Sequence, residues 1–194
     1  EARLLAAVGE VLAAEGFRGL GVNAVAKQAG VDKVLIYRYF GGLPQLLQAY
    51  GEGGAFWPGV DELLGEDARS LLALPLAERY AQFFARFIAA LRERPLTLEI
   101  LAAELVKPNE LCAILLAERE QWGEDVERRA GGAEFAAHPE MRGVTLLLVA
   151  GVQYLLIRAR RTSVFGGVEL QADAGWEMLG HSVRAMAQRM LGAA

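Results

Sequence analysis

The sequence has 194 residues, of which 54% are apolar and 23% charged, and its formal net charge is −4. A chain of this length can bury a sizeable core, either as one domain or as a small domain joined to a larger one. Ala and Leu are abundant, β-branched residues are sparse, and no stretch alternates apolar with polar residues. The pattern therefore predicts an all-α protein.

The sequence has too few cysteines and histidines for a disulfide framework or a clustered Cys/His metal site. The single Cys112 excludes an intramolecular disulfide framework, and with only two histidines we expect no metal and no cofactor. No basic and apolar leader opens the sequence. The longest apolar run, from Val144 to Ile157, is shorter than the roughly 20 residues of a membrane span and contains Gln153. We expect a soluble, buried helix there, a cytoplasmic location and no membrane partner.

Four short helices are predicted in the first fifty residues. They run from about Ala2 to Ala14, from Val22 to Ala29, from Asp32 to Phe40 and from Pro44 to Tyr50. Asp32 is a good N-cap residue because its side chain can accept a hydrogen bond from an otherwise unpaired amide. Proline suits the first turn of a helix, where its missing N–H costs nothing.

The predicted helices become longer after the glycine-rich segment 51–54. They are expected from Leu76 to Arg92, Leu96 to Val106, Asn109 to Arg129, Glu140 to Arg161 and Ala172 to Leu191, with Pro95 and Pro108 at breaks and loops around Gly131 and Gly166. This division predicts a small domain over residues 1–50 and a larger helical domain over residues 51–194.

The second and third helices have the features of a helix-turn-helix. Two short helices pack at a steep angle only where the residues at their contact are small, and Ala26 and Ala29 meet that condition. Gly30 supplies the positive φ that the turn needs. The small core between the helices is expected from Val25, Val31, Ile36 and Tyr39.

The outward face of the third helix carries side chains that suit DNA. Lysine and arginine reach guanine edges or phosphates, valine packs on a thymine methyl, and a tyrosine hydroxyl contacts phosphate. The residues are Lys33, Val34, Tyr37 and Arg38, with Lys27 on the preceding helix. Taken singly, each could also be a solvated lysine or a core tyrosine. Five basic against four acidic residues give the first fifty residues a charge of only +1.

In these residues the sequence resembles the tetracycline-repressor-like (TetR) family of transcriptional regulators. The matching positions are Gly16-Phe17, Val25-Ala26, Ala29-Gly30-Val31-Asp32, Ile36-Tyr37 and Phe40, within residues 3 to 50. The resemblance implies a three-helix DNA-binding domain followed by a helical domain that binds a small molecule and dimerises. It also implies that Tyr37, Lys33 and the backbone amides near Pro44 meet the duplex.

Three positions depart from the family's pattern. Gly21 stands where the family usually has a threonine that caps the second helix, and Leu43 takes the place of a lysine that grips the DNA backbone. Leu35 replaces a small residue, often threonine, in the third helix. Each departure removes a polar contact, so we expect weaker nonspecific affinity and a shallower salt dependence.

The last two helices carry excess apolar surface, which predicts a four-helix dimer interface. The expected interface residues are Leu148, Gly151, Leu155, Trp176, Leu179, Gly180, Val183, Met186, Ala187 and Met190. The alternative is that both helices fill the core of one chain.

An aromatic face predicts an apolar effector site, although such a face is also typical of an ordinary core. Its residues are Tyr80, Phe84 and Phe87, with Trp122 and Gln153 joining from other helices. Glu118 interrupts an apolar stripe, and a buried carboxylate needs a partner, either a ligand cation or an arginine of the protein.

Three functions follow from these features. The first is a repressor that binds a palindromic operator as a homodimer and leaves it when a small, largely apolar effector binds. The second is a helical binding module whose affinity for DNA is weakened or lost. The third is an enzyme, which is disfavoured because no catalytic triad is apparent and Cys112 has aliphatic neighbours.

Overall fold

The computed structural model describes residues 1–106 and 110–192. Nearly all of the described chain is helical, so the predicted all-α class is confirmed. The helices are α1 (Ala2–Gly19), α2 (Val22–Ala29), α3 (Val34–Phe40), α4 (Leu43–Glu52), α5 (Val60–Leu64), α6 (Ala68–Leu72), α7 (Leu76–Arg92), α8 (Pro95–Val106), α9 (Cys112–Val126), α10 (Gly132–Ala136), α11 (Glu140–Ala159) and α12 (Asp173–Leu191). A π-helical segment spans Glu127–Gly131, and strands β1 (Val164–Phe165) and β2 (Val168–Glu169) form an antiparallel hairpin.

The chain divides into two compact units. Unit 1 comprises Glu1–Gly59 and Arg94–Trp122, and unit 2 comprises Val60–Glu93 and Gly123–Ala194. Helices α1 to α4 share unit 1 with α8 and α9. The functional boundary expected near residue 50 stays a prediction, since these units are defined by packing alone.

In unit 1 the long helix α1 is the centre of packing, with α2, α4 and α8 against it. Leu4, Val8 and Leu12 repeat at helical spacing and are fully buried, so they form the apolar face of α1. Gly16 leaves the helical conformation, with φ of 66° and ψ of −172°. The regular part of α1 therefore ends where the Glu15-Gly16 pair predicts.

In unit 2 α12 packs along α7, and α11 contributes to the same core. Ala77 on α7, Met141 on α11, and Ala187 and Leu191 on α12 form one buried cluster. Small residues at Ala77 and Ala187 let the helices approach closely. Unit 2 thus has an apolar core of its own.

The predicted helix bounds hold for α2 and α7, and they shift by one or two residues for α8, α11 and α12. The start at Asn109 and the break at Pro108 lie outside the described residues, and α9 ends at Val126, where the π-helical segment begins. Helices α5, α6 and α10 were not predicted. The expected loop at Gly166 and Gly167 is the turn of the hairpin, and both glycines have positive φ (59° and 81°).

Helix α11 corrects the expectation of a buried helix. Only Met141, Val152 and Leu156 are buried, because one face of this helix packs on the core while its apolar residues continue around the other face. Over Glu140–Ala159 the helix is long and apolar enough, by length and composition, to cross a membrane. The uninterrupted apolar run within this helix, from Val144 to Ile157, is shorter than a membrane span, so the sequence predicted no such helix.

Candidate nucleic-acid interface and effector residues

The turn between α2 and α3 depends on Gly30. This residue is left-handed (φ 62°, ψ 40°) and caps α2, since its amide donates to the carbonyl of Lys27 (3.1 Å). The amide of Val31 donates to Ala26 O at 3.0 Å, which closes the turn. Ala26 and Ala29 are buried, as the packing argument requires.

Arg3 on α1 holds the same turn from outside the helix-turn-helix. Its Nη2 donates to the carbonyl oxygen of Ala29 at 2.5 Å, and a Cβ on Gly30 would come within 3.1 Å of that nitrogen. Beside it, Gln28 Nε2 donates to Glu10 at 2.6 Å. These contacts fix the end of α2 to α1. Sequence reasoning missed Arg3, because an arginine in a first turn carries no local signal of a partner 26 residues away.

Helix α3 begins two residues later than expected, so Lys33 takes the N-cap position predicted for Asp32, but the Asp32 side chain still binds the first amide of the helix. Its Oδ1 accepts a hydrogen bond from the amide of Val34 at 2.8 Å. Ile36 is fully buried and faces the core, together with Val25 of α2. The orientation of α3 is therefore fixed by one apolar face and one capping side chain.

All the residues expected to contact DNA are exposed. Val34 and Tyr37 are 61% and 56% exposed, which is unusual for apolar and aromatic side chains on a helix with a buried face. The other exposed members are Lys27, Lys33, Arg38 and Pro44. We call Lys33, Val34, Tyr37 and Arg38 the α3 face. It combines cationic, aromatic and apolar groups on one side of a short helix.

Two residues of the expected small core lie elsewhere. Tyr39 is 46% exposed, and its ring lies under the guanidinium of Arg38 at 5.9 Å, so it extends the α3 face instead of closing the core. Val31 is only half-buried. The helical spacing puts Tyr39 three residues after Ile36, at the border of the buried face, which explains the error.

Helices α2 and α4 both begin without a side-chain cap. Gly21 is the N-cap residue of α2 and Gly42 that of α4, and neither position carries a capping side chain. Pro44 lies in the first turn of α4, as expected. The first amides of these helices are therefore left to solvent or to an anionic partner.

The effector residues expected on α7 form an aromatic row in unit 2. The ring of Tyr80 stacks on Phe84 (5.9 Å, 21°), which packs against Phe87 (5.9 Å). Phe135 of α10 stacks on the other side of Tyr80 at 6.2 Å and was missed by sequence reasoning. Gln153 is half-buried on α11 in the same unit.

Tyr80 is the polar member of this aromatic row. Its hydroxyl hydrogen-bonds to Thr145 Oγ1 at 2.9 Å, and burial raises the pKa of the phenol although that bond opposes the shift. The buried guanidinium of Arg79, next in sequence, donates to Leu72 O at 2.8 Å and pairs with Glu134. The Tyr80 and Thr145 hydroxyls are thus the polar groups shown at the aromatic row, while Arg79 is engaged by Leu72 O and Glu134.

Glu118 and Trp122 lie in unit 1, in a cluster of different composition. Trp122 packs edge-on against Trp57 at 5.8 Å. Within the described ranges no arginine pairs with Glu118, since its neighbour Arg119 binds Glu104 instead, at 2.8 and 3.0 Å. Desolvation raises the pKa of Glu118, and repulsion from Glu52 adds to the shift. The arginine partner expected for Glu118 is therefore corrected.

Several expected interface residues belong to the core of their own chain. Trp176, Val183 and Ala187 are buried in unit 2, on the side of α12 that packs along α7. This corrects the predicted seam, because residues buried in one chain cannot face a second copy. The remaining residues are half-buried: Leu148, Gly151, Leu155, Leu179, Gly180, Met186 and Met190.

The most exposed apolar surface of unit 2 lies beside those residues on α11. Leu146 and Leu147 are 69% and 74% exposed, and Gly143, Ala150 and Tyr154 continue the same side of the helix. We call these five residues the α11 stripe. At its end Arg158 lies over the rings of Tyr154 and Phe165, at 5.8 and 5.0 Å.

Comparison with known proteins supports this description. Residues 4–50 match a family model described as bacterial regulatory proteins, tetR family. A search of the curated proteins gives no match. The fatty acid degradation regulator FadR from Bacillus halodurans has the same fold, with a TM-score of 0.65, 17% identity, and coverage of 100% of this chain and 98% of that chain.

Two further solved structures have the same fold. FadR from Bacillus subtilis, in complex with stearoyl-CoA, gives a TM-score of 0.66 at 16% identity, covering 100% of this chain and 99% of that chain. A TetR-like transcriptional regulator from Rhodococcus sp. RHA1 gives 0.63 at 18%, covering 100% and 96%. The resemblance seen in the sequence is thereby confirmed: residues 4–50 match the tetR-family model, and the chain as a whole has the fold of these solved regulators.

Proposed function

We propose that the protein is a ligand-responsive transcriptional repressor, which binds a palindromic operator as a homodimer and leaves it when a largely apolar effector binds. The observation that carries this proposal is the α3 face. A helix fixed on one side by Ile36 and the turn at Gly30 exposes lysine, valine, tyrosine and arginine together on the other. This is the arrangement that a recognition helix needs in the major groove.

The experiment is a DNA-binding assay at low salt with duplexes from the promoter region next to the gene. We expect a retarded complex that competitor DNA of unrelated sequence does not remove. Two half-sites about 34 to 36 Å apart fit the two recognition helices of a dimer. Unchanged mobility at low salt and high protein concentration would favour the alternative, a helical module that has lost DNA binding. The absence of the family's polar side chains at Gly21 and Leu43 supports that alternative.

The homodimer is supported by the α11 stripe. Exposed Leu146 and Leu147 on one helix form an apolar patch that a monomeric protein in water rarely shows. A second copy is a better partner than a bilayer, because Met141 and Thr145 on the opposite face of α11 bind to the core of the same unit. Insertion into lipid would break those contacts. Light scattering should give twice the mass of the chain without detergent.

The effector site is proposed at the aromatic row on α7. Stacked rings supply the apolar surface, and the Tyr80 and Thr145 hydroxyls supply polar groups for the polar end of a ligand. We propose an acyl compound, a class suggested by the stearoyl-CoA in the Bacillus subtilis structure. Titration with stearoyl-CoA and with stearate should weaken the DNA complex, and the two probes separate a thioester from a free carboxylate. Release follows from unequal affinity for the two conformations.

Tyr80→Phe tests this site with little change in volume. We expect it to weaken effector binding several-fold, through the lost hydroxyl, and to leave DNA affinity unchanged. Unaltered effector affinity would move the site away from the aromatic row.

A further inference from the structure

The segment 53–58, which follows α4 in unit 1, is held at three of its carbonyl groups by side chains of distant residues. We call this segment the strap. Arg94 donates from Nε and Nη2 to the carbonyl of Gly54, at 3.1 and 2.9 Å. Thr97 Oγ1 donates to Phe56 O at 2.5 Å, and Trp122 Nε1 donates to Pro58 O at 2.7 Å. Alternate carbonyls are therefore bound by residues at the start of α8 and the end of α9.

Side chains of the strap are as well packed as its backbone. Phe56 is fully buried and packs against Tyr50 of α4 at 5.6 Å. The guanidinium of Arg119 lies over the rings of Phe56 and Trp57, at 6.0 and 5.8 Å, and Glu104 of α8 holds it by two hydrogen bonds. Such a network fixes the strap in one position, because its bonds at Phe56 O and Pro58 O are buried or partly buried, and exposed bonds from Arg94 hold Gly54 O as well.

The strap continues directly from α4, which packs against α3. The end of α4 is itself in close contact with α9: a Cβ on Gly51 would come within 2.9 Å of Glu118 and 3.0 Å of Leu115. Tyr50 is buried against Gly9 of α1, and burial raises the pKa of its phenol to about 12. The position of α4 is thus set from both its sides.

We infer that the strap makes α8 and α9 part of the body that presents α3 to DNA, with Thr97 as the positioning residue at its buried centre. This inference rests on the proposed function. In a dimer the distance between the two recognition helices depends on every contact that connects them through the chain. The contacts of the strap with α8 and α9 are among these. Thr97 contacts no DNA; it acts through the Phe56 carbonyl on the end of α4.

The test compares Thr97→Val with Thr97→Ser. Valine keeps the shape of threonine but leaves the Phe56 carbonyl without its donor, whereas serine keeps the donor. The probe is a duplex that the wild-type protein selects from a random-sequence pool. Further probes are the same duplex with its two half-sites moved apart by one base pair, and a single half-site. Measurements are made at a temperature where circular dichroism shows every variant to be folded.

For Thr97→Val we expect affinity for the selected duplex to fall roughly 5- to 20-fold, with half-site affinity unchanged and preference for the original spacing largely lost. Thr97→Ser should restore both properties. Trp122→Phe, which removes the donor to Pro58 and keeps an aromatic ring, should act in the same direction. Thr162→Val in unit 2 is the matched control and should behave as the wild type.

Equal losses on the half-site and on the full duplex would overturn the inference, because Thr97 would then support only the integrity of the domain. Retained spacing preference would overturn it as well. Hydrogen exchange distinguishes a failure of this inference from a failure of the proposed function. Even if the wild type binds no DNA, Thr97→Val should speed amide exchange at the end of α4, and unchanged exchange there would reject the strap as a positioning device.

Discussion

The α3 face and the α11 stripe both expose large apolar side chains, but their surroundings differ. Val34 and Tyr37 alternate with Lys33 and Arg38, so the surface is apolar and cationic at once. Leu146 and Leu147 have Gly143 and Ala150 beside them on the α11 stripe. A mixed surface suits the DNA groove, which offers phosphates and base methyl groups together. A bare apolar surface with small residues suits close contact with another protein. Composition, more than exposure, distinguishes the two.

The largest expected effect comes from removing the lysine and the tyrosine of the α3 face. Lys33→Ala combined with Tyr37→Ala should lower DNA affinity on the order of 100-fold, because two contacts to the duplex disappear together. Fluorescence anisotropy with a labelled duplex measures the loss. Light scattering should give the wild-type mass for this variant, and a change in mass would show that the two surfaces are not independent.

The reciprocal change places a charge on the α11 stripe. Leu147→Glu should weaken the dimer by at least about 10-fold, because a carboxylate would be desolvated in the interface. Analytical ultracentrifugation over a dilution series measures the dimer dissociation constant. Leu105→Glu is the matched control, since Leu105 is 81% exposed on α8 in unit 1. If both variants dimerise as the wild type does, the α11 stripe is not the interface.

A smaller effect is expected at the start of α4, which packs against α3. Leu43→Lys puts a cation in the first turn of α4, where the family usually has one. We expect DNA affinity to rise about 3- to 10-fold and the slope of log affinity against log salt to steepen by about one. Gln48→Lys, an exposed position on the same helix, is the control. An unchanged slope would mean that the start of α4 does not reach phosphate.

The smallest effect concerns stability and pH in unit 1. Folding raises the pKa of Glu118, so the folded state holds this proton more tightly than the unfolded state does. The favourable contribution is present below the unfolded pKa and is lost as pH rises through the folded pKa. Glu118→Gln should therefore raise the melting temperature at pH 7 by up to about 3 °C.

The difference between Glu118→Gln and the wild type should disappear near pH 3, well below the ordinary glutamate pKa of 4.5, where the carboxyl is protonated in both states. Calorimetry at the two pH values measures it. Glu120→Gln, at an exposed position on the same helix, is the control. A lower melting temperature of Glu118→Gln at pH 7 would show that the ionised carboxylate has a stabilising partner.

Local sequence rules predicted the helix-turn-helix well, because its determinants are short in range. Ala26, Gly30 and Asp32 each act within a few residues, and the structure gives each the expected place. Helices α7 and α12 were equally evident from their period. Three residues of the α12 seam, Trp176, Val183 and Ala187, were assigned to the wrong neighbour, since an apolar stripe does not indicate whether its partner is α7 or a second copy. The half-buried residues of α12 stay a prediction.

Long-range polar contacts could not be predicted. Nothing near Thr97 in the sequence indicates the carbonyl of Phe56, 41 residues away, and nothing near Trp122 indicates Pro58. For the same reason, the residues expected to form one effector site do not all lie in the same unit. Aromatic residues on different helices look alike in sequence, yet Trp122 lies in unit 1 and Tyr80 in unit 2.

The hairpin between α11 and α12 tolerates added atoms at its tip but not at its base. A Cβ on Gly175 would lie 2.0 Å from the carbonyl oxygen of Glu169, and Trp176 Nε1 donates to Leu170 O at 2.8 Å, so the base of the hairpin is tied to α12. At the tip, Cβ atoms on Gly166 and Gly167 would meet open space. Inserted peptides that carry a reporter therefore belong between Gly166 and Gly167, with both glycines kept because of their positive φ, where they do not disturb the start of the last helix.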